Sequence, residues 1–169
     1  MADTLLRAES LVVGVNTNAY AAGMALCHLA GSTPPEQVLV IGTGAAARSV
    51  ALGARKISPD VTVLFAGRSA DRRRQLVADL GFGTCVSDLS SIRPDAVISA
   101  TAVDETDDRA ELAFDLQTLF RPGLRYLDLN NRPSALQSKA LAAGCVTASG
   151  VLMQILTNAL RACLLTTNH

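Results

Sequence analysis

The chain has 169 residues, enough for one domain with a buried core. Lys and Arg number 15, Asp and Glu also 15, and only 18% of residues are charged. That balance excludes a global basic field of the kind that draws a protein to nucleic acid or an anionic membrane. Apolar residues make up 49%, with Ala, Leu and Val prominent and no Trp, which suits parallel strands covered by helices on both faces.

The N-terminal stretch lacks a basic segment followed by an apolar one, and no apolar run reaches the roughly 18 residues needed to span a bilayer. A soluble cytoplasmic protein is expected. Cys27, Cys85, Cys145 and Cys163 stand far apart in sequence, without zinc-site spacing, and are expected to be buried free thiols.

In chain order, residues 17–30 read as a helix rich in small and apolar residues, ended by Gly31 and Pro34-Pro35. Val38–Ile41 is a short apolar run entering glycines, a buried strand. Residues 45–56 form a small-residue helix and Val61–Phe65 a second buried strand. Ser69 starts a helix to about Leu80, closed by Gly81. Residues 83–86 and 95–100 are short strands, 111–120 a helix, and Leu124–Leu129 another strand. Pro133 opens a helix to about Ala143 with Gly144 as its stop. Cys145–Ala148 is a last strand and 151–165 the closing helix. This alternation predicts one doubly wound, Rossmann-like α/β domain over residues 1–169, with the 1–30 and 150–169 helices packed together. Ligands of such sheets sit beyond the carboxyl ends of the strands.

At the first such end stands Gly42-Thr43-Gly44-Ala45-Ala46-Ala47. Gly42 permits the tight turn, Gly44 lets a pyrophosphate approach the backbone, and Ala47 allows close helix–strand packing. A plain strand-to-helix turn would use similar residues, but strand, helix and next strand follow at dinucleotide-site spacing. An NAD site would place a carboxylate after the second strand. Here Ala66-Gly67-Arg68-Ser69-Ala70-Asp71-Arg72 follows, and Arg68, Ser69 and Arg72 could surround a 2′-phosphate. The expected cofactor is NADP(H).

Several segments, in order, resemble the shikimate/quinate dehydrogenase family. Gly14-Val15-Asn16-Thr17-Asn18 with Gly23 is similar to its Gly-x-Asn-Thr-Asp segment, and Gly42–Arg48 to its Gly-Ala-Gly-Gly-Ala-x-Arg loop. Arg68-Ser69-x-x-Arg72 resembles its NADP motif, and Ser99-Ala100-Thr101, with Ala102 at the position of a proline, resembles its loop near the nicotinamide. Asp128–Pro133 and Gly150-Val151-Leu152-Met153 complete the set. The resemblance implies a C-terminal NADP-binding domain, with Gly42, Thr43, Gly44, Ala45, Ala46, Arg68, Ser69, Arg72, Thr101, Ala102 and Gly150 at the cofactor.

The same comparison implies changed chemistry. The family's catalytic lysine lies in a substrate domain ahead of this region, and residues 1–15 hold no counterpart. Its catalytic aspartate corresponds to Asn18, which cannot accept a proton near neutral pH. Its tyrosine corresponds to Asn131 and its glutamine to Thr157. Asn18 and Asn131 are the candidate catalytic residues. With Asn16, Thr17 and Asn130 they are expected to converge beside the cofactor, although Asn and Thr are equally at home in turns and caps. His28 could replace the acid/base but reads more readily as a partly buried helix histidine. Asp104, Glu105, Asp107 and Asp108 could supply a base or form a solvated loop, and Asp115 reads as a surface or capping residue.

The first functional reading is an NADP(H)-dependent oxidoreductase acting on a small polar carbonyl, alcohol or imine other than shikimate. The second is a catalytically silent NADP-binding module, or the cofactor half of a split complex. A third is an excised domain. Apolar faces at 19–30 and 151–165 lead us to expect a homodimer or a partner chain over the open cleft.

Overall fold

The computed structural model describes residues 2–8, 10–31, 33–101 and 115–166. It opens with an antiparallel hairpin of β1 (Thr4–Ala8) and β2 (Leu11–Val15), with Thr4 opposite Val15 and Ala8 opposite Leu11. No element was expected there. The remaining elements are α1 (Thr17–Ala30), β3 (Gln37–Ile41), α2 (Ala45–Ile57), β4 (Thr62–Ala66), α3 (Ala70–Leu80), β5 (Thr84–Cys85) and β6 (Ala96–Ser99), then β7 (Arg125–Asp128), α4 (Ala135–Ala142), β8 (Val146–Ser149) and α5 (Gly150–Thr166).

The strands β3 to β8 form one parallel sheet in the order β5-β4-β3-β6-β7-β8. The chain winds outward from β3 in one direction, then returns to its other side at β6. The crevice between the carboxyl ends of β3 and β6 is therefore the switch point at which doubly wound sheets bind ligands. The expected fold class is borne out.

Strand alternation sorts the core into two layers. Val38 and Val40 of β3, Val63 and Phe65 of β4, and Ile98 of β6 face one side, under α1, α2, α3 and α5. Leu39, Ile41, Leu64, Val97 and Tyr126 face the other, with Leu116 and Leu119 of a short 3-10 turn and Leu136 and Ala140 of α4. Small residues let α1 and α2 approach closely: Ala19, Ala22, Ala47, Ala51 and Ala54 are all fully buried. Helix α5 packs beside α1 on the same layer.

Several boundaries differ from expectation. Ser134, not Pro133, caps α4, its Oγ accepting from Gln137 N at 3.0 Å. Of the helix expected over 111–120, the described part is only a 3-10 turn at Leu116–Leu119, and residues 111–114 lie outside the described residues. Only Cys145 of the four cysteines is buried; Cys27 and Cys163 lie on the outer faces of helices and Cys85 on the short edge strand β5. No described helix is long and apolar enough to cross a membrane.

Candidate functional site

Gly42 leaves β3 with φ +123°, a backbone conformation that L side chains rarely adopt. A Cβ there would stand 2.6 Å from Ala100 O at the end of β6, so glycine is what allows the turn and the β6 loop to meet across the switch point. Gly42 N donates to Ala66 O at 2.9 Å and Ala100 N to Ile41 O at 2.8 Å, tying the ends of β3, β4 and β6 together. Gly44 caps α2 without a side-chain hydrogen bond, and the first turn of α2 carries no acidic residue. Nothing lies within 4 Å of the place a Gly44 Cβ would occupy. The amides of Gly44, Ala45 and Ala46 thus begin a helix at an exposed, anion-favouring terminus.

Thr43 closes against the next loop, its Cγ2 standing 3.2 Å from where a Gly67 Cβ would be. That contact brings the glycine turn beside Arg68 and Ser69. Ser69 Oγ accepts from Arg72 N at 3.3 Å, capping α3 and leaving its hydroxyl proton to donate. Arg68 and Arg72 are exposed, and neither is held in an ion pair among the described residues; Arg74, by contrast, is paired with Asp71. Arg73, next to them, turns inward: its Nη1 donates to Gly67 O at 2.9 Å and Val86 O at 3.1 Å, clasping the loops after β4 and β5. Three anion-suited features therefore share the carboxyl end of the sheet.

Below the end of β6, Ser99 Oγ lies 3.2 Å from Thr101 Oγ1. Beside it Asp128 is buried at the end of β7 and accepts from Ser134 Oγ and, at 3.0 Å, from Asn130 N. Burial, and next the Asp128 charge, push the nearby Tyr126 phenol well above its ordinary value, so it stays protonated. This network shapes the 128–131 turn. Gly150 N donates to Asn130 O at 2.9 Å, and a Cβ on Gly150 would collide with the Leu129 carbonyl. Gly150 thus lets the start of α5 press against that turn.

A cleft of about 410 Å³ opens on the same side. Ala45 and Ala46 of the helix start, the α1 cap Asn16 and Asn18 of α1, Asn131 and Gly150 line it, with Met153, Gln154, Thr157, Asn158 and Arg161 from α5. Asn18 and Asn131 do converge there, as does Asn16. Thr17 is buried beneath the wall, and Asn130 serves the Asp128 turn. The Asn18 carboxamide oxygen accepts from Thr157 Oγ1 at 3.3 Å. Its NH2 then has no partner among the described residues and is available to the cleft. Asn16 Oδ1 is taken by Ala19 N at 2.8 Å.

Sequence reasoning missed Asp3. Carried by the hairpin, it accepts from Thr17 N at 2.9 Å, Thr17 Oγ1 at 2.6 Å, Asn18 N at 2.7 Å and Thr4 Oγ1 at 2.9 Å. Partial burial raises its pKa, but the hydrogen bonds from Thr17, Asn18 and Thr4 outweigh that and hold it at about 2. It was invisible because no element was assigned to residues 1–16. The α5 residues had a signal: polar side chains at 154, 157, 158 and 161 mark one stripe of an otherwise apolar helix.

Other candidates fall away. His28 is exposed rather than partly buried, and it stands at the C-terminal end of α1, the opposite end from Asn18. Asp115 precedes the 3-10 turn without a side-chain cap bond. Ala102, Asp104, Glu105, Asp107 and Asp108 lie outside the described residues.

No family model matches the chain. The chain is 32% identical over 147 residues to a shikimate dehydrogenase (NADP(+)) of Methanothrix thermoacetophila, covering 84% of this chain and 53% of that protein. Its fold matches the Thermus thermophilus shikimate 5-dehydrogenase solved with NADP(H) and shikimate, with TM-score 0.73, 27% identity, and coverage of 92% of this chain and 58% of that one. It also matches the Aquifex aeolicus shikimate dehydrogenase, with TM-score 0.78, 19% identity, and coverage of 92% and 57%. The resemblance to shikimate dehydrogenases read from the motifs is therefore shown in sequence and in fold. The chain spans about half the length of these relatives.

Proposed function

We propose that this chain binds NADP(H) and serves as a shikimate-dehydrogenase-like oxidoreductase domain, acting on a small polar carbonyl, alcohol or imine other than shikimate. The observation that carries this reading is the meeting of the Gly42–Gly44 turn, the start of α2 without a side-chain cap bond and the Arg68–Ser69 loop at one switch point, with an amide-lined cleft beside it.

The residues fit the cofactor. Gly44 leaves its approach to the helix amides clear, so Gly42, Thr43, Gly44, Ala45 and Ala46 would hold a pyrophosphate. Arg68, Ser69 and Arg72 would hold a 2′-phosphate, and Thr101 and Gly150 would flank the nicotinamide end. When bound, the cofactor supplies or accepts a hydride. The chain's own part is orientation and hydrogen bonding. Asn18, its carboxamide oxygen occupied by Thr157, donates from Nδ2 to a substrate oxygen. Asn131 closes the other side of the cleft. Neither amide exchanges a proton near neutrality, so water carries the proton.

A second reading, a silent NADP-binding module, is favoured by one observation. The described carboxylate in the cleft, Asp3, has its pKa held at about 2, too low for a general base near neutral pH. A second copy or a partner chain over the open side belongs to both readings. Its support is the exposed apolar surface at Leu5, Leu11 and Val12 of the hairpin and Ile155 of α5.

The test is a titration with NADPH and with NADH, followed by a reductase screen of small carbonyls and imines. Tight binding of NADPH with turnover supports the enzyme. Binding without turnover on any substrate supports the module. Absence of binding at millimolar cofactor refutes both.

A further inference from the structure

Two charged side chains face the cleft wall, and their hydrogen-bond inventories are opposite. Asp3 is spent: four hydrogen bonds from Thr4, Thr17 and Asn18 converge on its two oxygens, and its side chain is 19% exposed. Arg161, one helical turn beyond Thr157 on α5, is 40% exposed. Its Nε donates to Thr4 Oγ1 and Thr17 Oγ1, both at 3.3 Å, which fixes the guanidinium. Its Nη2 stands 3.9 Å from Asp3 Oδ1, a loose ion contact, and Nη1 has no partner among the described residues. Arg carries five N–H donors in a planar fork matched to a carboxylate.

We propose that Arg161 is a specificity-determining residue that receives the carboxylate of a small anionic substrate, with Asp3 as the positioning residue that seats it. The inference rests on the reading of this cleft as the substrate side of a cofactor site. The geometry supports it in three ways. The guanidinium's hydrogen bonds all leave from Nε, and Nη2 makes only the loose ion contact with Asp3, so its Nη1 side stays available. The anchors, Thr4 and Thr17, are themselves held by Asp3, so the hairpin, α1 and α5 fix one arginine conformation. Among the other polar groups on the wall, Asn18 Nδ2 and the amides at the start of α2 are donors suited to oxygen acceptors. Arg161 and those donors line one cleft.

The test uses three methyl ketones that differ in one group: pyruvate, pyruvamide and aminoacetone. Each is titrated into the isotope-labelled full chain, with and without NADP⁺, and read by amide and Arg Nε–H resonances. Pyruvate should shift residues 16–18 and 157–161 and bind at least about tenfold more tightly than the neutral and cationic probes. Arg161→Gln, which keeps a donor for the threonines, should abolish that preference without weakening pyruvamide. Should the Gln variant fold poorly, Arg161→Lys keeps the charge, loses the fork, and should lose about threefold or more of the pyruvate affinity. Equal affinity for the three probes, preference for aminoacetone, or a pyruvate preference that survives Arg161→Gln would overturn the assignment. Titration of the same sample with NADP⁺ is a separate readout. Cofactor binding without a pyruvate preference removes the Arg161 role and leaves the cofactor reading standing. A pyruvate preference without cofactor binding does the reverse.

Discussion

Replacing Arg68 with Ala should separate the two nicotinamide cofactors. Arg68 follows β4, is exposed, and is bound to no described carboxylate, so its removal leaves no orphaned partner in the protein. What it removes is one charge-assisted contact to a 2′-phosphate, about 1.5–3 kcal/mol in general. Exposure places the site at the lower end of that range, about 1.5–2 kcal/mol, because solvent and salt screen the pair. The dissociation constant for NADPH should therefore rise about 10–30-fold. NADH lacks the phosphate and should change by less than about twofold on the same scale. Arg72 remains in the variant, so discrimination shrinks without vanishing. Arg68→Lys should fall between, keeping the charge and losing the fork. The chain contains no Trp, so the fluorescence of the reduced nicotinamide is the natural reporter. The preference for NADPH in the unaltered protein should also decline as salt shortens the screening length from about 10 Å at 0.1 M to about 3 Å at 1 M. Equal weakening of NADPH and NADH by Arg68→Ala would refute the 2′-phosphate assignment and leave only a dinucleotide site.

Gly42→Ala should destabilise the chain by about 3 kcal/mol or more, since it adds a positive-φ penalty to a clash with Ala100 O; chemical denaturation measures it, and a loss under about 0.5 kcal/mol would contradict the described turn. Asp3 holds its carboxyl at about 2 against an ordinary 3.8, so its contribution to stability, on the order of 1 kcal/mol after solvent screening at this accessible group, is complete above about pH 4 and lost as pH falls through 2. Asp3→Ala should remove that acid-side slope in denaturation midpoints between pH 2 and 4 and detach the hairpin, seen as faster amide exchange in residues 4–15; an unchanged slope would exclude the carboxylate as its source. Thr157→Val should free the Asn18 carboxamide to rotate and lower kcat on any reducible substrate about two- to tenfold with little change in cofactor binding, while Thr157→Ser restores it. A fall in cofactor affinity instead would assign Thr157 to packing.

Much of this fold was legible because its signals are local. A buried apolar run entering Gly42, followed by a small-residue helix, needs no tertiary information to be read as strand, turn and helix, and β4 repeats the pattern with Gly67. The cap residues were equally plain at Ser69 and Gly81, where side-chain and left-handed backbone chemistry decide the boundary. The hairpin was not legible. Its strands lack the Asn-Gly or Asp-Gly turn that marks a tight hairpin, and Leu5, Leu11 and Val12 are exposed rather than alternating between core and solvent. With no element assigned to 1–16, Asp3 had no reason to stand beside Thr17.

The site divides along the same line. The proposed cofactor half rests on residues contiguous in sequence, 42–46 and 68–72, so spacing alone suggests it. The cleft proposed as the substrate half is lined from the hairpin, the start of α1, the 128–131 turn and one stripe of α5, and only packing brings them together. Sequence reasoning could place Asn18 and Asn131 near each other through a resemblance, and it read Asn18 as the loss of a proton acceptor. The structure adds a charged pair beside it. Asp3 supplies a carboxylate two residues into the chain, locked by donors at a pKa of about 2, and Arg161 supplies a cation against it. A carboxylate that is saturated with hydrogen bonds cannot work as a base, yet it can fix an arginine. On the role proposed for Arg161, a substrate for this cleft should be chosen by the anion it carries.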